Sequence, residues 1–330
     1  MSAVTQHTYG PPEDVLAVET CPLPSIGDDE LLVSIEASSI NPADWHSVRG
    51  EPLVARVAIG LGAPAFDSPG CDAAGIVEQV GNSVTGFSIG DRVLGYPPEK
   101  RRGGFAEYAA VPASNAALIP ESVSFAQAAC LPLAGGTALQ AVRDHAVVES
   151  GQRVMVVGAS GGVGSFAVQI AKTLGAHVTG VCSGRNVEFV RGLGADEVID
   201  YVSSDYSIVD SDGEFFDAIL QLGGTMPASQ LRKALKPDGL LVMASGDGGG
   251  RLFGPIGRIV RGLASSAFGR GRVMTMNAVP TGPDLAYLVG LVASGEIRVP
   301  IEKSVTLAEV PNAIREIESA HTTGKISVVI

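Results

Sequence analysis

Two places in the sequence hold residues that could do chemistry. The first is Ala159-x-Gly161-x-x-Gly164, inside "VMVVGASGGVGSFAVQIAK". It reads as a dinucleotide fingerprint with alanine at the first glycine position. The middle glycine lets the backbone approach a pyrophosphate, and the last lets a helix pack closely on a strand. A helix starting there offers free N–H groups and a partial positive charge to phosphates. The second place is Cys71-Asp72 in "SPGCDAAGIV", with His46 upstream in "NPADWHSVRG". Thiolate, imidazole and carboxylate are side chains that zinc sites use. Neighbours on a strand point to opposite faces, so Cys71 and Asp72 are poor co-ligands and no metal is expected. The better reading is a small buried thiol beside a hydrogen-bonded carboxylate.

The fingerprint has a rival. Gly158-x-Ser160-x-Gly162 also matches the G-x-S-x-G nucleophile elbow of serine hydrolases. Here the motif opens an α/β block that follows a long β-rich segment, which does not suit a hydrolase. Ser160 is expected to donate a hydrogen bond or to cap the helix.

The end of the next strand sets the cofactor. An NAD site wants Asp or Glu about 20 residues on, to hold the ribose 2′-hydroxyl. The stretch "GVCSGRN" has no acid; Ser183 and Arg185 stand there, both donors to a phosphate. A charge-assisted hydrogen bond is worth roughly 1.5–3 kcal/mol, which favours NADPH over NADH by about one to two powers of ten.

The elements that must position these residues follow from periodicity. Residues 1–126 read as short strands with Gly and Pro punctuation, such as "ELLVSIEASSI", "AAGIVEQVG" and "DRVLGY". "SFAQAACLPLAGGTALQAVRDHA" is Ala-rich and reads as helix, broken at Pro132 and Gly135-Gly136. Strands and helices then alternate: "RVMVVGA", "AHVTGV", "DEVIDY", "FDAILQLG", "GLLVMASG" and "RVMTMNA" are six strands. That alternation implies a parallel sheet covered on both faces. β character returns at the end, in "RVPIEKSVTL" and "KISVVI", so the tail is expected to rejoin the first domain.

The totals agree with an enzyme. The 330 residues are too many for one core by default, so two domains are expected. A formal net charge of −12 argues against nucleic acid and anionic membrane surfaces as partners. The four cysteines are scattered without a C-x-x-C, which suits a reducing compartment. "MSAVTQHTYGPPEDVL" lacks the order of a signal peptide, and no apolar run approaches the roughly 20 residues of a membrane span. A cytoplasmic protein is expected.

From end to end the chain resembles a family. "SSINPADWHSVRG", "PGCDAAGIVEQVG", "GDRVLGY", "GGFAEYAAVP", "LPLAGGTALQ", "VVGASGGVGSFAVQIAK", "LGADEVIDY" and "HTTGKISVVI" are similar to the medium-chain dehydrogenase/reductase superfamily, in its zinc-free quinone oxidoreductase-like branch. The resemblance implies an α/β fold: a Rossmann doubly wound parallel sheet plus a GroES-like β-rich domain built from both chain ends. The expected parts are GroES-like over 1–126, Rossmann over 127–281 and GroES-like again over 282–330. It also implies a homodimer joined through "RVMTMNA". Zinc members of the superfamily carry Gly-His-Glu where this chain has Gly70-Cys71-Asp72, and a four-cysteine lobe near "YPPEKRRGG". The sequence departs at every metal position.

Without a metal, the natural reaction is hydride transfer from NADPH to a quinone or α,β-unsaturated carbonyl. The oxyanion that develops needs donors. The candidates are the Asn41 side chain, His46 and the ribose hydroxyl, with water as final proton source. The resemblance puts Asn41, Asp44 and Thr137 around the nicotinamide and its ribose. It puts Gly161, Gly162, Val163 and Gly164 on the pyrophosphate and Tyr201 beside the adenine or 2′-phosphate. Leu222, Gly223, Ser245 and Gly246 follow the fourth and fifth strands, and Lys325 is expected to reach the cofactor from the tail. Many relatives place a Tyr near His46. An insert over 246–272 carries five arginines and reads as a solvated helix and loop. Two other functions fit this sequence: an enoyl-thioester or polyketide-tailoring enoyl reductase, and an NADPH-binding sensor with little turnover.

Overall fold

The computed structural model describes residues 1–98, 100–203, 214–244, 250–254, 256–265, 270–319 and 322–330. The chain forms two compact units, Met1–Gly136 with Val279–Ile330, and Thr137–Ala278.

The first unit begins with β1 (Ser2–Gln6), β2 (Leu16–Thr20), β3 (Glu30–Ile40), β4 (Ala73–Val80), β5 (Arg92–Gly95), β6 (Tyr108–Pro112) and β7 (Ala116–Leu118). The second unit holds β8 (Arg153–Val157), β9 (His177–Cys182), β10 (Glu197–Asp200), β11 (Phe216–Gln221), β12 (Leu235–Met243) and β13 (Arg272–Thr275). The chain then returns to the first unit with β14 (Ile301–Thr306) and β15 (Lys325–Val329).

In the first unit, β14-β15-β3-β4-β5-β7 form one sheet, with β6 paired to β3. β15 lies antiparallel to β3, with Ile326 opposite Ile40, so residues from both chain ends share the sheet. Leu31, Val33, Ile35, Ala73, Val77, Val93 and Val111 fill its core from alternating positions. In the second unit the order is β10-β9-β8-β11-β12-β13, all parallel. This is the 3-2-1-4-5-6 arrangement of a dinucleotide-binding sheet, whose switch point lies between β8 and β11. Val154–Val157 of β8, Ala218–Leu220 of β11 and Leu240–Met243 of β12 are unbroken apolar runs, as strands covered on both faces require.

Two expectations need correction. The first unit extends to Gly136 rather than 126, because the helix Phe125–Ala129 packs on β3, β4 and β15. The α-helix ends at Ala129, ahead of Pro132, which sits in the first turn of a wide π-type segment, Leu131–Gly135. The return to the first unit begins at Val279, three residues before the expected 282.

Candidate functional site

The second unit contains a cradle at the C-terminal ends of β8, β9, β10 and β11. β8 ends at Val157 and the chain turns at Gly158, with φ +84°. Gly158 therefore takes the tight-turn role that the fingerprint gives to its first glycine, and Ala159 sits fully buried behind it. A Cβ on Gly158 would lie 2.9 Å from the Gly223 nitrogen, so the ends of β8 and β11 touch. A Cβ on Gly164 would lie 2.0 Å from the Gly158 oxygen. The helix Gly162–Thr173 can approach β8 only because that Cβ is missing. Gly161 differs: its Cβ would meet nothing nearer than 3.4 Å. The protein itself leaves room at Gly161, as a backbone meant to meet a ligand requires.

Gly161 is the N-cap of that 12-residue helix, and no side chain caps it. Ser160 is not the cap. Its Oγ accepts from Asn186 Nδ2 at 3.0 Å, which leaves the hydroxyl proton to donate elsewhere. Asn186 is 7% exposed and had no signal in the sequence beyond its place after Arg185. Gly162 and Val163 form the first turn of the helix. Leu222 donates its N–H to Val157 O at 3.0 Å, which sets Leu222 and Gly223 beside Gly158. Thr137, half-buried, opens this unit. Ser245 and Gly246 lie outside the described residues.

After β9, Ser183 is extended and Gly184–Asn186 form a single turn that carries an exposed Arg185. Tyr201, 53% exposed, follows β10 and donates its N–H to Cys182 O at 3.1 Å. Ser183, Arg185 and Tyr201 thus gather at one sheet end. No acid stands in the turn after β9, but one reaches it from β10. Asp200 lies opposite Cys182 in the β10–β9 register, and a Cβ on Gly184 would be 2.8 Å from Asp200 Oδ2. Burial first, and the Asp200 carboxylate second, push the Cys182 thiol up to about 11.

The first unit holds the other candidates. Asn41 precedes the helix Pro42–Arg49, and its backbone N–H donates to Asp44 Oδ2 at 2.8 Å. Its amide nitrogen donates to Asp72 Oδ2 at 2.7 Å and to Ser39 O at 3.3 Å. Both amide hydrogens are used, so Asn41 is not the oxyanion donor expected of it. Its oxygen accepts from Lys325 Nζ at 2.6 Å. Lys325 also donates to Ile40 O at 2.9 Å and is 3% exposed. The tail lysine, expected to reach the cofactor, is tied in this structure to Asn41 and the Ile40 carbonyl. Asp72, fully buried, accepts from Asn41, from Ser39 Oγ and from the Leu133 N–H.

Asp44 is also fully buried. Cys71 Sγ lies 3.5 Å from Asp44 Oδ1. Arg102, 6% exposed and held at φ +45°, places Nη1 3.3 Å from Cys71 Sγ and 3.6 Å from Asp44 Oδ1. Its guanidinium also covers the Phe66 ring at 4.9 Å. Burial raises the Asp44 carboxyl to about 6 against the pull of Arg102, and burial raises the Cys71 thiol well above its ordinary value. His46 is half-buried and stacks on Trp45, with ring centroids 3.6 Å apart. His46 Nδ1 lies 2.9 Å from Glu51 O, which can only accept, so Nδ1 carries the proton.

Comparison with known proteins agrees with this anatomy. Residues 27–121 match the family model described as an alcohol dehydrogenase GroES-like domain, and residues 193–328 match the one described as a zinc-binding dehydrogenase. The chain is 33% identical to the "Quinone-oxidoreductase homolog, chloroplastic" of Spinacia oleracea, across 99% of this chain and 98% of that one. It is 31% identical to a mitochondrial NAD(P)H oxidoreductase of Mus musculus, across 99% and 89%. The solved quinone oxidoreductase of Coxiella burnetii superposes with a TM-score of 0.87 at 29% identity, covering 100% and 99% of the two chains.

The zinc in that family description does not fit these side chains. Among the described residues no group of three or more His, Cys, Asp or Glu could hold a metal ion. Asp72 is filled by three donors, and a guanidinium already sits against Cys71 and Asp44. The chain belongs to the medium-chain dehydrogenase/reductase superfamily, in its quinone oxidoreductase-like branch, and is an oxidoreductase.

Proposed function

We propose that this protein reduces a quinone or an α,β-unsaturated carbonyl with NADPH and without a metal ion. The observation that carries the reading is Arg102, whose guanidinium already stands against Cys71 and Asp44, while Asp72 is filled by three donors, so these side chains have partners other than a metal. The names of the spinach, mouse and Coxiella proteins, which specify quinone or NAD(P)H, point to the same chemistry for this chain.

The dinucleotide cradle fits a nicotinamide cofactor, because Gly161 leaves backbone room and the helix after it has no side-chain cap. A reduced nicotinamide supplies hydride to the electrophilic carbon of the acceptor. The N–H groups at the start of Gly162–Thr173 and the Ser160 hydroxyl hold the pyrophosphate. Ser183 and Arg185 favour a 2′-phosphate. Once hydride has arrived, one proton completes the reduction of an enone, and His46 or water delivers it. With Nδ1–H given to Glu51, His46 donates from Nε2 only as the imidazolium.

Two broader features belong to the same reading. The four free cysteines suit a reducing compartment such as the cytoplasm. β13, an edge of the six-stranded sheet, suits pairing with a second copy in a homodimer. No helix among the described residues is long and apolar enough to cross a membrane.

The test is a titration of purified protein with NADPH and NADH. Loss of nicotinamide absorbance is then followed with a quinone, a 2-alkenal and a crotonyl thioester, with and without chelator. Turnover of the first two acceptors, unchanged by chelator, is the expected result. Activity lost to chelator removes the metal-free reading. Turnover of the thioester alone makes the protein an enoyl-thioester reductase. Tight NADPH binding with no turnover makes it a sensor.

A further inference from the structure

We propose that Asp200 selects at the ribose 2′ position of the dinucleotide, accepting from a 2′-hydroxyl and opposing a 2′-phosphate. The inference rests on the reading that the second unit binds a nicotinamide dinucleotide.

In a doubly wound sheet the acid that reads the 2′-hydroxyl stands at the end of the second strand. In this chain that strand is β9, and the position holds Ser183. The neighbouring strand delivers the acid instead. The parallel register of β10 on β9 sets Asp200 opposite Cys182, one residue before Ser183. The carboxylate then lies over the turn after β9, so close that a Cβ on Gly184 would be 2.8 Å from Oδ2 and 3.3 Å from Cγ. Gly184 leaves the space that Asp200 fills.

The carboxylate is also held in orientation. Oδ1 accepts from the Val202 N–H at 3.0 Å, and Ser203 Oγ lies 3.3 Å from Oδ2. Each oxygen of an ionised carboxylate has two lone-pair sites, so capacity remains on both. Among the described residues no Lys or Arg pairs with it. Its charge is therefore delivered to the same turn that carries Arg185. A 2′-hydroxyl can donate to Asp200. A 2′-phosphate brings two negative charges beside it, which offsets what Ser183 and Arg185 contribute. The consequence is a cofactor site of mixed preference: NADPH and NADH bind with Kd values within about tenfold of one another.

Dissociation constants for NADPH and NADH, read from nicotinamide fluorescence, test this on wild type, Asp200→Asn, Asp200→Ser and Arg185→Ala. Asn keeps the oxygen that accepts from Val202 and removes only the charge. It is expected to tighten NADPH about tenfold and weaken NADH about tenfold, moving the ratio about a hundredfold. Asp200→Ser should move the ratio in the same direction, and Arg185→Ala should weaken NADPH alone. The NADPH advantage of the Asn variant should shrink as salt is added. An unchanged ratio in both Asp200 variants overturns the inference and leaves the functional reading intact. So does wild-type protein that prefers NADPH more than about a hundredfold. Wild-type protein that binds neither dinucleotide overturns both.

Discussion

The Arg102 guanidinium rests 3.3 Å from the Cys71 sulfur. The contact joins two buried groups and brings Arg102 to 3.6 Å from Asp44, so one cation serves a thiol and a carboxylate at once. Removing it should be costly. Arg102→Met leaves Asp44 buried without its counter-ion, and a loss of about 3 kcal/mol in urea unfolding is expected. Arg102→Met combined with Asp44→Asn should recover much of that loss. Two additive losses would show that the pair is not coupled.

The same carboxyl predicts a pH dependence. Asp44 is raised to about 6 from an ordinary value of 3.8, chiefly by burial. The folded state therefore binds the proton more tightly than the unfolded state does. The stability this contributes is complete below the ordinary value and is lost as pH rises through about 6. Unfolding free energy should fall between pH 5 and pH 7.5 by about 1.4 kcal/mol more in wild type than in Asp44→Asn. Parallel profiles for the two proteins would dispose of the assignment.

Lys325 separates a positioning role from a cofactor contact. Lys325→Met should destabilise the protein by about 3 kcal/mol, because Asn41 Oδ1 and the Ile40 carbonyl lose a buried charged donor. The Kd for NADPH of the folded variant should stay within about threefold of wild type. A hundredfold weakening with unchanged stability would restore the direct contact.

Gly161 and Gly164 should fail in different ways. Gly164→Ala forces a Cβ to within 2.0 Å of the Gly158 oxygen, so the helix must lift from β8 and the melting temperature should drop by several degrees. Gly161→Ala meets nothing nearer than 3.4 Å, so its melting temperature should be nearly unchanged. Its affinity for dinucleotide should fall about a hundredfold, as the methyl takes the place of the pyrophosphate. Calorimetry and fluorescence titration on the two variants give the comparison.

His46 should act only as a cation. Nδ1–H is engaged with Glu51 O, so the neutral ring has no proton to give from Nε2. His46→Gln should lower kcat about ten- to a hundredfold with an enone, and the alkaline limb of the kcat profile should disappear. An unchanged profile would leave water as the proton source.

Much of this was legible in the sequence, and what was not has physical causes. The parallel sheet could be read because β8, β9 and β11 are apolar runs broken by glycine turns. The packing role of Gly164 followed from spacing, whereas the turn itself fell to Gly158. Asp200 was missed because its place beside Gly184 depends on the register between two strands, which periodicity does not reveal. Arg102 sits on a loop at positive φ, uncommon for a residue with a side chain, and no motif announces it. Asn41 stood out in the sequence, but its hydrogens could be counted only once Asp72 and Ser39 were located around it.

The position of β15 between β14 and β3 has a consequence for biosynthesis. Asn41 leaves the ribosome early, while Lys325, which completes its surroundings, follows 284 residues later. The Thr137–Ala278 unit is contiguous and can condense while translation continues. The first sheet has to wait, its β3 edge open, until Ile326 arrives to pair with Ile40. A nascent chain at that stage already has its nucleotide cradle but lacks the support beneath Asn41. Loss of β15 would leave Ala37–Ile40 of β3 unpaired, an open sheet edge exposed to aggregation.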